Sequence, residues 1–273
     1  MPKGRALTIG LNAVSPASYS GWSGVLAACE ADARDMSAIA RSRNFDVTNL
    51  MTKDATRANV IAAITSAAQS VKDGDLFLLS YSGHGGTLPD LNSDEDDFTD
   101  ETWCLFDGQL VDDELYSLYG KFAKGVRILI FSDSCHSGTV AKEAFYQNAA
   151  LPTEEPVTYR NMPADRARLV YDENKPFYDK ILKDRVLKIS DKAINASVLL
   201  ISGCQDNQLS ADGKFNGLFT AHLRRAWRDG QFKGNYQEFH RAILKGMPPT
   251  QTPNYFRAGA ANPAFDLQNP FSV

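Results

Sequence analysis

The sequence contains few of the residues that build disulfide frameworks and zinc sites. Among its 273 residues there are only four cysteines and four histidines. The cysteines lie far apart and form no C-x-x-C pair, a spacing that favours neither a disulfide framework nor a structural zinc site. They are Cys29, Cys104, Cys135 and Cys204.

The chain also lacks a surplus of basic charge and long apolar runs. Lysine and arginine together number 29, against 33 aspartates and glutamates, so the formal net charge is −4. This balance does not indicate nucleic acid or an anionic membrane as a partner. No window approaches the roughly 18 apolar residues that cross a bilayer, and "MPKGRALTIGLN" lacks the apolar length and cleavage site of a signal peptide. We therefore expect a cytoplasmic protein with neither a nucleic-acid nor a membrane partner.

What the chain does contain is a series of short apolar runs that alternate with helical patterns. "DLFLLSYS" (75–82) and "VRILIFSDS" (126–134) are typical of strands that are covered on both faces of a parallel sheet. The alternation predicts a doubly wound α/β fold with a mostly parallel central sheet flanked by helices. Other predicted strands are 6–12, 45–51, 102–106, 197–204 and 252–257, and the predicted helices are 24–43, 56–71, 112–123, 217–229 and 235–246, with a polar loop at 83–101.

The middle of the chain departs from this pattern. Residues 141–190 contain prolines and mixed charge, and they predict a single helix near 177–188. A long irregular segment inside a compact domain is typical of an insertion, a lid or a processing linker. We expect one domain with three parts, at 1–140, 141–195 and 196–273.

Two predicted strand ends carry reactive side chains. "LLSYSGHGG" places His84 after one strand, and "LIFSDSCHSG" places Cys135 at the end of another. Ligands of open parallel sheets lie at the carboxyl ends of the strands, so the two side chains would face each other if these strands are neighbours. An imidazole can take the thiol proton and return it to a leaving amine. The backbone N–H groups of Gly85 and Cys135 could then hold the oxyanion.

Three motifs, "YSGHGG", "DSCHSGT" and "ISGCQDNQLSADG", occur in this order and resemble those of the caspase-like cysteine peptidases. The resemblance is closest to the type I metacaspases and their bacterial relatives, the orthocaspases. It implies a caspase-like fold with a large-subunit-like part before the insertion and a small-subunit-like part after it. It also implies that His84 is the general base, that Cys135 is the nucleophile, and that proteins or peptides are the substrates. The family resemblance suggests a monomer, because metacaspase sheets usually carry extra edge strands where caspases pair.

The resemblance further implies cleavage after arginine or lysine, which bind in an acidic primary pocket. Asp133, two residues before Cys135, matches an acidic pocket position, and Asp32, Cys29 and Ser82 match further positions. Carboxylates that face an arginine would bind it through charge-assisted hydrogen bonds. For Asp32 a second interpretation stays open, namely an acid in the first turn of a helix that complements the helix dipole.

Metacaspases also bind calcium, and the resemblance places Asp100, Asp112 and Asp113 on three of the positions that hold this activating ion. The chain departs from the family at Lys142, where the pattern offers an aspartate and where an ammonium would repel Ca²⁺ or replace its charge. The alternative interpretation is a solvated acidic loop at 90–101 and a helix N-terminus at the other two positions. No cofactor is expected to be required for the chemistry itself.

Several other polar residues have structural alternatives. We expect His136 to support its loop, and His222 and His240 to lie in helices. We expect Cys204 to be a small buried apolar residue. Asp206 and Asp212 could orient a loop or contact the substrate. An enzyme that cleaves after arginine or lysine could also cut itself at basic residues of the insertion. The basic residues of this segment could equally form a solvated surface. The candidates are Arg160, Arg166, Arg168, Lys175, Lys180, Lys183, Arg185 and Lys188.

Two rival functions remain compatible with the residues alone. The chain could be a catalytically idle caspase homologue that acts as a scaffold or regulator. It could also be a calcium-responsive binding module built on the acidic loop.

Overall fold

The computed structural model describes residues 2–91, 99–135, 158–184, 186–187, 193–204 and 208–273. The predicted α/β fold is confirmed, since six of the described strands form one mostly parallel sheet in the order β2-β1-β3-β7-β8-β9. The strands are β1 (Gly4–Gly10), β2 (Phe45–Met51), β3 (Leu76–Ser82), β4 (Gly85–Pro89), β5 (Thr99–Leu105), β6 (Gly108–Val111), β7 (Arg127–Asp133), β8 (Ser197–Ser202) and β9 (Asn254–Gly259). The helices are α1 (Cys29–Ser42), α2 (Arg57–Ser70), α3 (Asp112–Tyr119), α4 (Ala164–Glu173), α5 (Lys175–Leu182), α6 (Leu218–Trp227), α7 (Tyr236–Leu244) and α8 (Pro263–Asp266).

The order of the strands brings the two reactive loops together. Strands β3 and β7 are parallel neighbours, and Ser82 pairs with Asp133 at their carboxyl ends. His84 and Cys135 follow these two residues at the same edge of the sheet. The strand β9, by contrast, runs antiparallel to β8.

Two apolar cores cover the two faces of this sheet. Helices α2 and α3 contribute side chains such as Ile64 and Leu115 to one core. Helices α1, α6 and α7 contribute side chains such as Met36, Leu223 and Phe239 to the other. Every residue of β3 and β7 is buried, which explains why both strands read as continuous apolar runs.

Two predicted elements differ in the structure. The helix expected at 24–43 begins only at Cys29, because Gly24 has a φ of +48° that a right-handed helix does not accept. The polar loop expected at 83–101 contains β4 and the start of β5, which form an antiparallel sheet with β6. Sequence reasoning missed β4 because "GGTLP" is rich in residues that are depleted in strands.

The insertion contains two described helices, α4 and α5, where the sequence predicts one near 177–188. Helix α4 was missed because half of the residues in "ADRARLVYDE" are charged, and it buries a narrow apolar side made of Ala167, Val170 and Tyr171. Within the described ranges, no helix combines the length and the apolar character needed to span a membrane.

Candidate active site

The imidazole of His84 is held in the tautomer that a general base requires. Its Nε2 lies 3.0 Å from the carbonyl oxygen of Gly24, and a carbonyl can only accept, so Nε2 carries the proton. Nδ1 is buried and has no hydrogen-bond partner among the described residues. Burial lowers the pKa of His84 to about 4, and the hydrogen bond to Gly24 opposes this shift. At neutral pH the ring is therefore uncharged and can accept a proton at Nδ1.

The position of this ring depends on two residues near the N-terminus. The ring of Trp22 packs against His84 with a centroid distance of 4.7 Å. A Cβ added at Gly24 would lie 2.7 Å from the Trp22 ring and 3.0 Å from the His84 ring. The residue that accepts the hydrogen bond from His84 must therefore be a glycine.

The thiol of Cys135 is buried beside a backbone donor. Its Sγ accepts a hydrogen bond from the N–H of Ser210. The side chain packs with Cys204, Leu209 and Tyr159. A hydrogen bond with Cys135, together with burial, raises the pKa of Cys204 well above its usual value. Cys204 is therefore a neutral thiol at neutral pH, as expected for a buried apolar residue.

Two backbone donors converge on one carbonyl oxygen, and that oxygen belongs to Arg160. The N–H of Gly85 lies 3.0 Å from it and the N–H of Cys135 lies 3.1 Å from it. This is the arrangement of an oxyanion hole, in which N–H donors hold the oxygen of a carbonyl under attack. The two donors are the ones that the sequence predicts for this role.

The side chain of Arg160 lies in an acidic pocket. Its guanidinium is fully buried and forms ion pairs with Asp32 at 2.7 Å, with Asp133 at 2.8 Å and with Asp212 at 2.8 Å. It also donates to the hydroxyl of Ser82 at 2.8 Å. Burial alone would lower the pKa of Arg160, but the surrounding carboxylates hold it well above its usual value. The guanidinium therefore stays charged.

The carboxylates of the pocket are also held by groups other than Arg160. Asp133 accepts hydrogen bonds from the hydroxyls of Ser210 at 2.7 Å and Thr220 at 2.8 Å. Asp32 accepts from the side-chain amide of Asn216 at 2.9 Å. Burial raises the pKa of Asp32 to about 6 although the charge of Arg160 opposes this, and the charge of Asp133 adds to the rise. The pocket is therefore preorganised for a cation.

The pocket fits a flat cation closely. A Cβ added at Gly217 would lie 2.5 Å from the guanidinium carbon of Arg160, and the cavity beside Asp32 and Asp133 has a volume of only about 10 Å³. Burial raises the pKa of Cys29 to about 12, so this residue, predicted for the pocket, is an uncharged thiol.

The backbone around Arg160 is paired as an extra strand. The N–H of Arg160 donates to the carbonyl of Ser210 at 2.9 Å, and the N–H of Asp212 donates to Thr158 at 2.8 Å. On the other side of the carbonyl, the N–H of Met162 donates to Gly85 at 2.7 Å. Main-chain pairing of this kind is how extended peptides bind to a sheet edge.

Two of the three acidic residues predicted to bind calcium, Asp112 and Asp113, begin α3, and the third, Asp100, lies on β5. The N–H of Asp113 donates to Asp112 at 2.9 Å. The pKa of Asp112 is raised to about 8, mainly by burial and in addition by the negative charges of Asp113 and Asp100. The described residues nevertheless contain no group of three or more His, Cys, Asp or Glu side chains that could hold a metal ion. These residues alone do not complete a calcium site.

The structure leaves some predicted residues untested and adds others. His222 lies on α6, and His240 bonds to the carbonyl of Pro253 at 2.8 Å. Residues outside the described ranges are His136, Lys142, Arg185, Lys188, Asp206 and the acidic positions 92–98.

The sequence did not single out Gly24, Ser210 or Gly217. Of these three residues, only Gly217 could have been noticed in the sequence, because it is a glycine at the start of a predicted helix.

Comparisons with known proteins identify the family of this chain. The family model described as "Caspase domain" matches residues 3–266. The chain is 28% identical to Metacaspase-1 of Meyerozyma guilliermondii over 82% of its own length and 60% of that protein. It is 31% identical to Metacaspase-1 of Schizosaccharomyces pombe over 70% of its length and 50% of that protein. The chain thus spans little more than half the length of these curated relatives.

Solved structures show the same fold. The crystal structure of protein GSU0716 from Geobacter sulfurreducens is 58% identical, covers 100% of this chain and 99% of that one, and superposes with a TM-score of 0.92. Caspase-1 from Spodoptera frugiperda is 13% identical, covers 94% of this chain and 87% of that one, and has a TM-score of 0.57, so it supports the fold alone. On the family match, which runs through nearly the whole chain, this protein belongs to the caspase family, with metacaspases among its relatives.

Proposed function

We propose that the protein is a cysteine endopeptidase that cleaves after arginine and, less efficiently, after lysine. The observation that carries this proposal is the binding of Arg160, whose guanidinium lies among three aspartates while its carbonyl oxygen lies between two N–H donors. A substrate arginine bound in the same way would present its carbonyl carbon to Cys135.

The proposed reaction follows from these positions. Nδ1 of His84 takes the thiol proton, and Sγ of Cys135 attacks the carbonyl carbon of the substrate arginine. The oxyanion forms between the N–H groups of Gly85 and Cys135, where one such donor contributes about 3 to 4 kcal/mol in a protease in which this has been measured. His84 then gives the proton to the leaving amine, and water hydrolyses the thioester with His84 as the base.

The shape and charge of the pocket favour arginine over lysine. A guanidinium offers five N–H donors in a plane, whereas an ammonium is a compact charge with three. The guanidinium of Arg160 reaches all three aspartates and Ser82 at once. An aspartate side chain in this pocket would meet like charge, so we expect no cleavage after aspartate.

The test is hydrolysis of matched fluorogenic peptides that end in Arg, Lys or Asp, by the wild type and by Cys135→Ala. We expect cleavage in the order Arg, then Lys, with none after Asp and none by the variant. Cleavage after Asp would contradict the pocket assignment. Absence of cleavage after any residue would favour the idle scaffold.

Calcium activation, a monomeric state and a cytoplasmic location remain parts of the proposal that rest on the sequence. Among the described residues the central sheet ends at β9, so the extra edge strand behind the monomer expectation is not found in this part of the chain. Calcium is tested separately, because the described carboxylates do not complete a site for it.

A further inference from the structure

We infer that the peptide bond between Arg160 and Asn161 is the bond at which the protein cuts itself. The inference rests on the proposed function, and it assigns one bond among the eight basic positions of the insertion that the sequence offers as candidates. It depends on three features of the described chain, which are the side chain of Arg160, its carbonyl group and the surroundings of Asn161.

The first feature is that Arg160 differs from the other described basic residues of the insertion. Its side chain is fully buried among carboxylates. The side chains of Arg166, Arg168, Lys175 and Lys183 are 42%, 84%, 52% and 60% exposed and form ion pairs at the surface. Only Arg160 among these occupies a site that recognises arginine.

The second feature is the carbonyl group of the same residue. An arginine that only stabilised the fold would need its guanidinium in the pocket, but its carbonyl could point anywhere. Here the carbonyl oxygen accepts from both Gly85 and Cys135. The backbone on either side is paired with Ser210 and Gly85, so the carbonyl is fixed in this orientation. A buried arginine and an oxyanion-hole carbonyl in one residue describe a bound substrate.

The third feature is the position of His84 relative to the leaving group. Asn161 is paired in a parallel bridge with Gly85, the residue that directly follows His84. Nδ1 of His84, which has no hydrogen-bond partner among the described residues, is buried. The nitrogen that would leave belongs to Asn161, so the base that takes the thiol proton is placed to return it to this amine.

The reaction consumes one water molecule and needs no other reactant. Sγ of Cys135 bonds to the carbonyl carbon of Arg160 while its proton passes to His84. The bond from this carbon to the nitrogen of Asn161 breaks, and His84 protonates the nitrogen to give a new amino terminus. Water then attacks the thioester with His84 as base, which releases Arg160 as a carboxylate and restores the thiol.

The structure also indicates what happens to the two new ends. Asn161 is followed by Met162, which is buried and whose N–H bonds to Gly85, and then by α4. The new amino terminus therefore stays anchored. The arm that ends at Arg160 is held only by noncovalent contacts with the pocket and with the chain around Ser210.

The experiment follows the intact mass and the new amino terminus of the full-length protein after purification and incubation. The matched control for Arg160→Gln is Arg168→Gln, because Arg168 lies nearby on α4 and its side chain is 84% exposed. We expect a fragment that begins at Asn161 in the wild type and in Arg168→Gln. We expect none in Arg160→Gln or Cys135→Ala.

Arg160→Gln leaves buried carboxylates without their cation and could fail to fold. Arg160→Lys is therefore measured alongside, because it keeps the charge but offers fewer donors. We expect it to be cut at the same bond, at least tenfold more slowly than the wild type.

The buried position of the bond predicts that cleavage is intramolecular. The first-order rate constant of the wild type should stay the same over a hundredfold dilution. Cys135→Ala mixed with a trace of wild-type enzyme should remain uncut at this bond, because its own segment is buried in its own cleft. A rate proportional to concentration would overturn the inference.

The same preparations are assayed with the Arg peptide, which separates this inference from the proposed function. If the wild type hydrolyses the peptide but is cut elsewhere or not at all, the inference fails and the function stands. Cutting of Arg160→Gln after residue 160 would also overturn it. If the wild type cuts neither itself nor the peptide, the proposed function fails and the inference fails with it.

Discussion

The guanidinium of Arg160 lies 2.8 Å from the carboxylate of Asp133, and Asp133 lies two residues before Cys135 on the same strand end. The backbone of β7 therefore links the group that recognises an arginine to the group proposed to attack its carbonyl. Because Asp133 ends the buried strand β7 and Cys135 follows it after one residue, the same strand positions the group for recognition and the group for the chemistry.

Replacing Asp133 with asparagine should reduce the cleavage of Arg peptides. The change removes one charge-assisted contact, which contributes about 1.5 to 3 kcal/mol, so kcat/KM should fall roughly 10- to 150-fold. The matched control is Asp35→Asn, because Asp35 pairs with Arg224 at 2.9 Å and is not among the partners of Arg160. Equal losses in both variants would indicate a general loss of folding and not a loss of recognition.

Replacing Gly217 with alanine should narrow the pocket. The added Cβ would lie 2.5 Å from the position of the guanidinium carbon, so we expect kcat/KM for Arg peptides to fall about tenfold through overpacking. Lys peptides, which present a slimmer head group, should be affected less. The backbone φ of −60° at this position suits alanine, so the variant should fold, with a melting temperature that is lowered by the overpacking against Arg160. An unaltered ratio of Arg to Lys cleavage would contradict the pocket geometry.

Replacing Gly24 with alanine should displace the catalytic imidazole. The new Cβ would contact the rings of Trp22 and His84, and a displacement of about 1 Å can reduce a rate about 100-fold. Gly21→Ala is the matched control, because Gly21 also has a positive φ, of +82°, but a Cβ there would meet nothing within 4 Å. We expect a loss of kcat in the first variant alone, and similar kcat values in both would argue against this role for Gly24.

The decline in the rate of self-cleavage at acidic pH should follow the protonation of Asp32 and not that of His84. The pKa of Asp32 is about 6 and that of His84 is about 4. As the pH falls through about 6, Asp32 gains a proton and the pocket loses one of the charges that face Arg160, while His84 remains neutral. The rate measured by mass spectrometry should therefore decline near pH 6 in the wild type and in Asp35→Asn.

The variant Asp32→Asn separates these two groups. It should be slower at every pH, because one charge is permanently lost, but its rate should stay level until about pH 4, where His84 is protonated. If the rate of this variant also declined near pH 6, the protonation of a group other than Asp32 would cause the decline.

Calcium binding can be measured without activity. In the Cys135→Ala protein, binding of Ca²⁺ to the folded state alone would raise the melting temperature. We expect such a rise, and we expect Asp112→Asn to abolish it while Asp172→Asn, on α4, retains it. A melting temperature that does not respond to millimolar Ca²⁺ would exclude the site.

The sequence by itself determined the α/β class and the two strand ends that carry His84 and Cys135. Short continuous apolar runs are typical of parallel strands that are covered on both faces, and His84 and Cys135 follow two of them. Local pattern placed His84 and Cys135 at the ends of two such strands, and the strand order of the structure decided that these strands are neighbours. Local pattern failed for β4 and α4, because their apolar residues are few and their burial depends on contacts that are distant in sequence.

Only the tertiary structure decided what the acidic pocket contains. Asp32, Asp133 and Asp212 come from three separate parts of the chain, and the cation between them comes from the insertion. No periodicity or spacing distinguishes Arg160 from the other basic residues of that segment. The distinction is physical, because a buried charge must be compensated. The fold offers three carboxylates to the guanidinium of this residue and two N–H donors to its carbonyl oxygen.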